Sequence, residues 1–253
     1  MKCITTLEYH DSVSSLCWTD KYLASGSYDD TIKIWDLDTK KCIATLEGHR
    51  HVVTSLCWTG KYLVSGSYDK TIKIWDIVSG WRDETRPQKD LVLGWRDETR
   101  PQKDLDKCIA TLEGHCSRIT SLCWTGKYLV SGGWDKTIKI WDLVSGWRVS
   151  SRPRKDLDTN KCITTFGGSH KNLITSLCWT GTYLVSGSYD GTIKIWDWNT
   201  FISNYERFFT LAKLRIRDDD LDTPNTKVEH TFNYVIKEMN NDLFINLLSF
   251  TND

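Results

Sequence analysis

Residues 41–80 read KCIATLEGHRHVVTSLCWTGKYLVSGSYDKTIKIWDIVSG, and variants of this phrase return three more times. The copies occupy 2–40, 41–80, 107–146 and 161–200, and LCWTGKYLVSG is identical in the second and third. Self-similarity at a period of about 40 residues marks a repeat architecture and takes precedence over other signals. Each unit holds four short runs, here KCIATL, VTSLCW, KYLVSGS and TIKIWD. They are rich in β-branched and aromatic residues and are separated by Gly, His, Asp or Lys-Tyr turns, so each reads as a strand. Four strands per unit make a propeller blade, and blades are covered on both faces by their neighbours. That accounts for the nearly continuous apolar strands and for the tryptophans, of which the chain has 13 against two Met. Eight of them fall at two recurrent places, in LCW and in IWD.

The tryptophans of IWD are Trp35, Trp75, Trp141 and Trp196, so extra residues follow the second and third copies. The expected organisation is a repeat domain over 1–198, with loop insertions at about 80–106 and 146–160, and a non-repeat tail over 199–253. The insertions are themselves duplicated. GWRDETRPQKDL occupies 80–91 and 94–105, with a relative at 146–157. The plain reading is a loop enlarged by tandem duplication. The alternative is a docking loop anchored by Trp81, Trp95 and Trp147, since interface hot spots favour Trp. In the tail, DLDT at 220–223 echoes 36–39 and 156–159, so one reading makes TKVEHTF a worn outer strand; the preferred reading is a helix near 228–249, because Phe232, Ile236, Met239, Leu243 and Leu247 follow helical spacing.

The units resemble WD repeats, which carry Gly-His, Ser, Asp and Trp-Asp in that order. The positions that carry the resemblance are His10, Ser25, Asp29 and Trp35; His49, Ser65, Asp69 and Trp75; His115, Ser131, Asp135 and Trp141; His170, Ser186, Asp190 and Trp196. Two copies depart from the pattern: Tyr9 replaces the Gly before His10, and Ser169 is inserted before His170. In the family these side chains form a hydrogen-bond relay from the Asp turn through His and Ser to the indole N–H. Polar groups buried in a packed blade need such partners, and losing one link costs ~1–3 kcal/mol. The resemblance implies an all-β fold of WD-repeat propeller blades, four four-stranded units forming a closed ring or an open arc, with a short tail that is helical in part. It also implies that the first run of each unit is the outer strand of the preceding blade. KCITTL at the N-terminus is thereby left to join the last blade, or to leave the edges open for another chain.

Short turns such as Trp58-Thr59-Gly60-Lys61-Tyr62 resemble the propellers of F-box/WD substrate receptors of ubiquitin ligases, although no F-box occurs in these 253 residues. The peptide-contacting positions of those receptors fall here on Tyr28, Tyr68, Trp134 and Tyr189, and on Ser14, Thr54, Thr120 and Thr175. Phosphate readers place several Arg at these positions, because Arg pairs bidentately with phosphate. This chain has none there; its nearby cations are Arg50, Arg118 and Lys171, of which Arg118 joins the candidate partner contacts. The mouth is aromatic and hydroxyl-lined, which suits a peptide of mixed polarity or a methylated cation. The other reading is that these aromatics only cover the central channel.

Lys plus Arg and Asp plus Glu both number 33, so bulk charge argues against a nucleic-acid partner. No run approaches the ~18 apolar residues of a membrane helix, so no membrane partner is expected. The first residues lack the apolar core of a secretory signal. An intracellular protein of cytoplasm or nucleus is expected, and the nine Cys are expected to be free thiols there. Ser, His and Asp recur in every unit, but one active site needs one triad, so fourfold repetition argues against catalysis. HExxH, EF-hand and CxxC patterns are absent, and no metal or cofactor is expected. The expected function is a non-catalytic protein-interaction scaffold with protein or peptide partners, narrowed by the resemblance to a receptor bound to a ubiquitin-ligase adaptor. The rival is a structural assembly subunit, or a truncated propeller, whose open blade edges pair with other chains, including a homodimer, without a peptide site.

Overall fold

A computed structural model of the chain describes residues 3–7, 11–77, 108–143 and 162–203. The duplicated loops with Trp81, Trp95 and Trp147, the segment holding His10, and the helix expected near 228–249 lie outside the described residues.

Among the described residues, fifteen strands follow one another in four antiparallel sheets. The first sheet holds β1 (Val13–Trp18), β2 (Tyr22–Ser27), β3 (Ile32–Asp36) and β4 (Lys41–Leu46). The second holds β5 (Val53–Trp58), β6 (Leu63–Ser67), β7 (Ile72–Trp75) and β8 (Cys108–Leu112). The third holds β9 (Ile119–Trp124), β10 (Tyr128–Gly133), β11 (Ile138–Asp142) and β12 (Cys162–Phe166). The fourth has three strands, β13 (Ile174–Trp179), β14 (Tyr183–Ser188) and β15 (Ile193–Asp197).

The strands therefore do not divide as the repeats do. β4, β8 and β12 come from the start of the next repeat, in register such as Ile32 opposite Leu46 and Ile72 opposite Leu112. This is the offset that the resemblance implied. The clasp that would let KCITTL complete the fourth sheet is not made: Cys3–Leu7 are in no strand, and Ile4 is exposed.

Two compact units divide the chain: Met1–Trp179 with Ser186–Lys194, and Thr180–Val185 with Ile195–Asp253. In the first, β1 lies against β5, β5 against β9 and β9 against β13. The core sits between successive sheets. Ala24, Ile32, Ile34 and Leu46 of the first sheet pack on Val53, Leu56, Leu63 and Trp75 of the second. Val64, Ile72, Ile74 and Leu112 pack in the same way on Ile119, Leu122, Leu129 and Trp141. Each buried aliphatic side chain contributes ~1.5–3 kcal/mol.

The approach of successive blades depends on a glycine. A Cβ on Gly66 would stand 2.7 Å from Ile119 Cγ2, one on Gly26 2.7 Å from Val53 Cγ1, and one on Gly132 2.6 Å from Ile174 Cγ2. The Gly of SGS or SGG is thus a notch that receives the first apolar residue of the next inner strand. In the second unit, a helical turn at 198–203 follows β15. Asp197 caps it, accepting the Thr200 N–H at 3.1 Å, and the rings of Trp198 and Phe201 pack 5.6 Å apart.

Candidate functional site: a buried relay beneath an arginine–aromatic stack

The relay is complete in the second blade. The turn after β6 folds Asp69 back, so that its Oδ1 accepts the Thr71 N–H at 2.9 Å and the Thr71 hydroxyl at 2.6 Å. Oδ2 accepts the Arg50 N–H at 3.0 Å and faces His49 Nδ1 at 2.7 Å. His49 Nε2 stands 2.7 Å from Ser65 Oγ, which accepts the Trp75 indole N–H at 2.9 Å. One proton assignment satisfies every member. The indole donates to Ser65, Ser65 donates to Nε2, and Nδ1–H donates to the carboxylate.

The third blade repeats this with His115, Asp135, Ser131 and Trp141 at 2.7, 2.7 and 2.8 Å. In the fourth, His170 Nδ1 is 3.1 Å from Asp190 and Nε2 is 2.8 Å from Ser186, while Trp196 lies on β15. In the first, the Trp35 indole N–H donates to Ser25 at 2.8 Å, and Asp29 accepts from Thr31.

The Gly before His has its own reason. Gly48 and Gly114 sit at φ +144 and +148, where other residues are strained, and a Cβ there would touch the Trp75 or Trp141 ring at 3.4 or 3.3 Å.

Burial pushes the Asp69 carboxyl up, but the hydrogen bonds from His49 and Thr71 and that from the Arg50 amide outweigh it and hold it well below the usual carboxylate range. The Asp135 carboxyl is likewise raised by burial and lowered further by His115, Thr137 and the Cys116 amide, to about 2 against an ordinary 3.8. A carboxyl depressed on folding contributes stability that is fully present above its unfolded value and lost as pH falls through the folded one. Urea midpoints measured from pH 6 to pH 2 should therefore fall progressively below about pH 4. Asp135→Asn should start lower and lose less over the same range. Parallel curves would show that this carboxyl does not carry the acid sensitivity.

The expected contact positions separate into two groups. Tyr28, Tyr68, Trp134 and Tyr189 each follow the last residue of β2, β6, β10 or β14. Their backbone N–H groups bond to the carbonyls of Ser12, Val52, Arg118 and Leu173. Tyr28, Trp134 and Tyr189 are exposed. The Tyr68 and Trp134 rings stand 6.2 Å apart, and the Arg118 guanidinium lies 4.3 Å from the first centroid and 4.7 Å from the second. His51 meets the Tyr68 ring edge-on at 5.5 Å. This cluster has no copy elsewhere in the repeats, because Ser12, Val52 and Leu173 occupy the positions matching Arg118.

Ser14, Thr54 and Thr120 differ, because their hydroxyl protons are already committed between blades. Thr54 shares its proton between Gly66 O at 3.0 Å and Ile119 O at 2.7 Å, and Thr120 between Gly132 O at 3.0 Å and Ile174 O at 2.5 Å. Ser14 bonds in the same way to the carbonyls of Gly26 and Val53. Thr175, the fourth member, makes no such bond among the described residues.

Sequence reasoning missed three participants. Thr71, Thr137 and Thr192 brace the turn carboxylates. Ser15, Ser55 and Ser121 accept the N–H of Leu56, Leu122 and Leu177 across the blade seams. His51 packs on Tyr68. The Thr of DKT and the Ser of SLCW recur in every copy, so the first two carried a signal, whereas His51 is unique to one copy.

The nine cysteines are free thiols. Burial raises Cys57 to about 11 and Cys123 to about 12, which makes them poor nucleophiles. Among the described residues, no group of three or more His, Cys, Asp or Glu could hold a metal ion, and no helix is long and apolar enough to cross a membrane.

The family model described as "WD domain, G-beta repeat" matches residues 1–36, 40–76, 106–142 and 160–197, more than half of the chain. The mitochondrial division protein 1 of Kluyveromyces lactis is 27% identical over 205 residues, covering 77% of this chain and 26% of that protein. The first curated relatives are matched over only about a quarter to a third of their length. The computationally designed Ika4 protein is 28% identical at a TM-score of 0.57, covering 78% of this chain and 98% of its own. The designed Ika8 protein is 29% identical at 0.55, covering 76% of this chain but 48% of its own.

Proposed function

The chain belongs to the WD domain, G-beta repeat family, and from that premise we propose that it is a non-catalytic interaction platform which binds an acidic peptide segment at the Tyr68–Arg118–Trp134 cluster. Proteins of this family act in general as protein-interaction scaffolds and are in general non-catalytic.

The observation that carries the reading is the stacked guanidinium. Two aromatic faces hold the ion by cation–π attraction and leave its N–H edge as a fork for a carboxylate. The aromatic walls then take the apolar neighbours of that acidic residue, and Trp and Arg are the side chains that dominate interface energies. The Arg118 guanidinium already covers both ring faces, so a methylated cation fits less well than an anion. The narrower role of a ubiquitin-ligase substrate receptor rests on the resemblance of the short turns alone and would appear as co-purification with a ligase adaptor.

The test compares proteins captured by the chain with those captured by Arg118→Glu and by the double variant Tyr68→Ala, Trp134→Ala. Each variant should lower the melting temperature only slightly, because Trp134 is exposed, Tyr68 and Arg118 are only half-buried, and the backbone bonds of residues 68 and 134 are kept. Each should weaken binding at least tenfold, or ~1.4 kcal/mol. Unchanged capture by both variants would refute the site and leave the rival, an assembly subunit without a peptide site.

A further inference from the structure

We propose that two copies of this chain close head to tail into one eight-bladed ring, the β1 face of each copy entering the vacant notch at Gly187 of the other. The proposal does not depend on the peptide site.

Each internal seam is built from the same three contacts. The first apolar residue of an inner strand enters the Gly notch of the preceding blade: Val53 at Gly26, Ile119 at Gly66, Ile174 at Gly132. The carbonyl of that same residue accepts a hydroxyl from Ser14, Thr54 or Thr120. The leucine three residues on donates its N–H to Ser15, Ser55 or Ser121.

Both halves of a fourth such seam are present and unused. On the incoming side, Val13 is 53% and Leu16 55% exposed, where Val53 is 0% and Leu56 7%. Trp18 is 72% exposed, whereas Trp58 and Trp124 pack against the cores between blades. On the receiving side, Ile193 is 76% exposed, where Ile32 and Ile72 are 0%. Thr175 and Ser176 have no seam bond among the described residues, and a Cβ at Gly187 would meet only those two hydroxyls.

Each face matches a surface that this chain already joins three times, so the occupant it fits best is its own kind. The outer strand is also in hand. Among the described residues, the fourth sheet has no strand matching β4, β8 and β12, and the corresponding segment Cys3–Leu7 pairs in no sheet. Adding it from the second copy continues the ladder beside β15 and removes an open edge. Closure by two identical seams gives a twofold-symmetric pair. The designed relatives point the same way, since the stretch that makes up nearly all of one makes up about half of the other.

The test is the molar mass of the full chain by sedimentation equilibrium across micromolar concentrations. Two copies are expected. The double variant Val13→Glu, Leu16→Glu should fall to one copy with its far-UV circular dichroism unchanged, because both residues are exposed in the single chain. Gly187→Val fills the notch and should do the same, since the hydroxyl of Ser176 can rotate away. Arg118→Glu should leave the pair intact. The proposal is overturned by a single-copy parent, including one whose Ile193–Asp197 amides are protected from exchange by the chain's own tail. It is equally overturned by a mass that climbs past two copies, or by a pair that both seam variants leave unchanged.

Discussion

Trp75→Ala should destabilise the chain by about 3–5 kcal/mol, read as a fall in the urea midpoint with unchanged slope. Trp75 is fully buried in the cluster that joins the first two sheets, so truncation leaves a cavity lined by Leu46, Val53 and Leu63. Close-packed cores collapse only partly into such spaces. The same change strips Ser65 of the indole donor at 2.9 Å. Trp75→Phe separates the two contributions: it restores much of the volume but not the N–H, and should recover more than half of the loss. Equal losses in both variants would mean that the hydrogen bond, rather than packing, dominates.

The second large effect is Asp69→Ala, at about 2–4 kcal/mol. Its carboxylate accepts from His49, the Arg50 amide, and the amide and hydroxyl of Thr71. An alanine leaves His49 Nδ1–H buried with no acceptor, and removing one partner of a buried pair costs more than the pair contributes. Asp76→Ala is the control. It neighbours Trp75 in the Trp-Asp pair, and its counterpart Asp36 is a surface carboxylate bonded to the local amides of Asp38 and Thr39. A smaller drop is expected for Asp76→Ala by differential scanning calorimetry. Equal drops would refute the assignment of Asp69 to the relay.

The relay was legible because repetition filters noise. A Ser, His or Asp that recurs at one phase of four copies is tied to the fold, and the distances agree with that phase. The same filter hides what is unique. Arg118 was legible as a candidate contact, but its position over both Tyr68 and Trp134 depends on the spacing of two blades, which no single unit contains. Thr54 and Thr120 show the opposite limit. Their phase is constant, yet phase alone does not tell an outward hydroxyl from one bonded across a seam.

By itself the sequence determined the blade unit and its four strands, while the resemblance to WD repeats supplied the offset of the outer strand and the members of the relay. The unit and its strands follow from local periodicity, which is a property of a single repeat. Tertiary structure alone decided how neighbours meet: the notch at Gly66 filled by Ile119, the hydroxyls spent on the next blade, and the unfilled counterparts at Val13 and Gly187. These depend on the approach of residues from different blades to within a few ångströms. The residues involved recur in every copy, but their period does not say which of them meet across a seam.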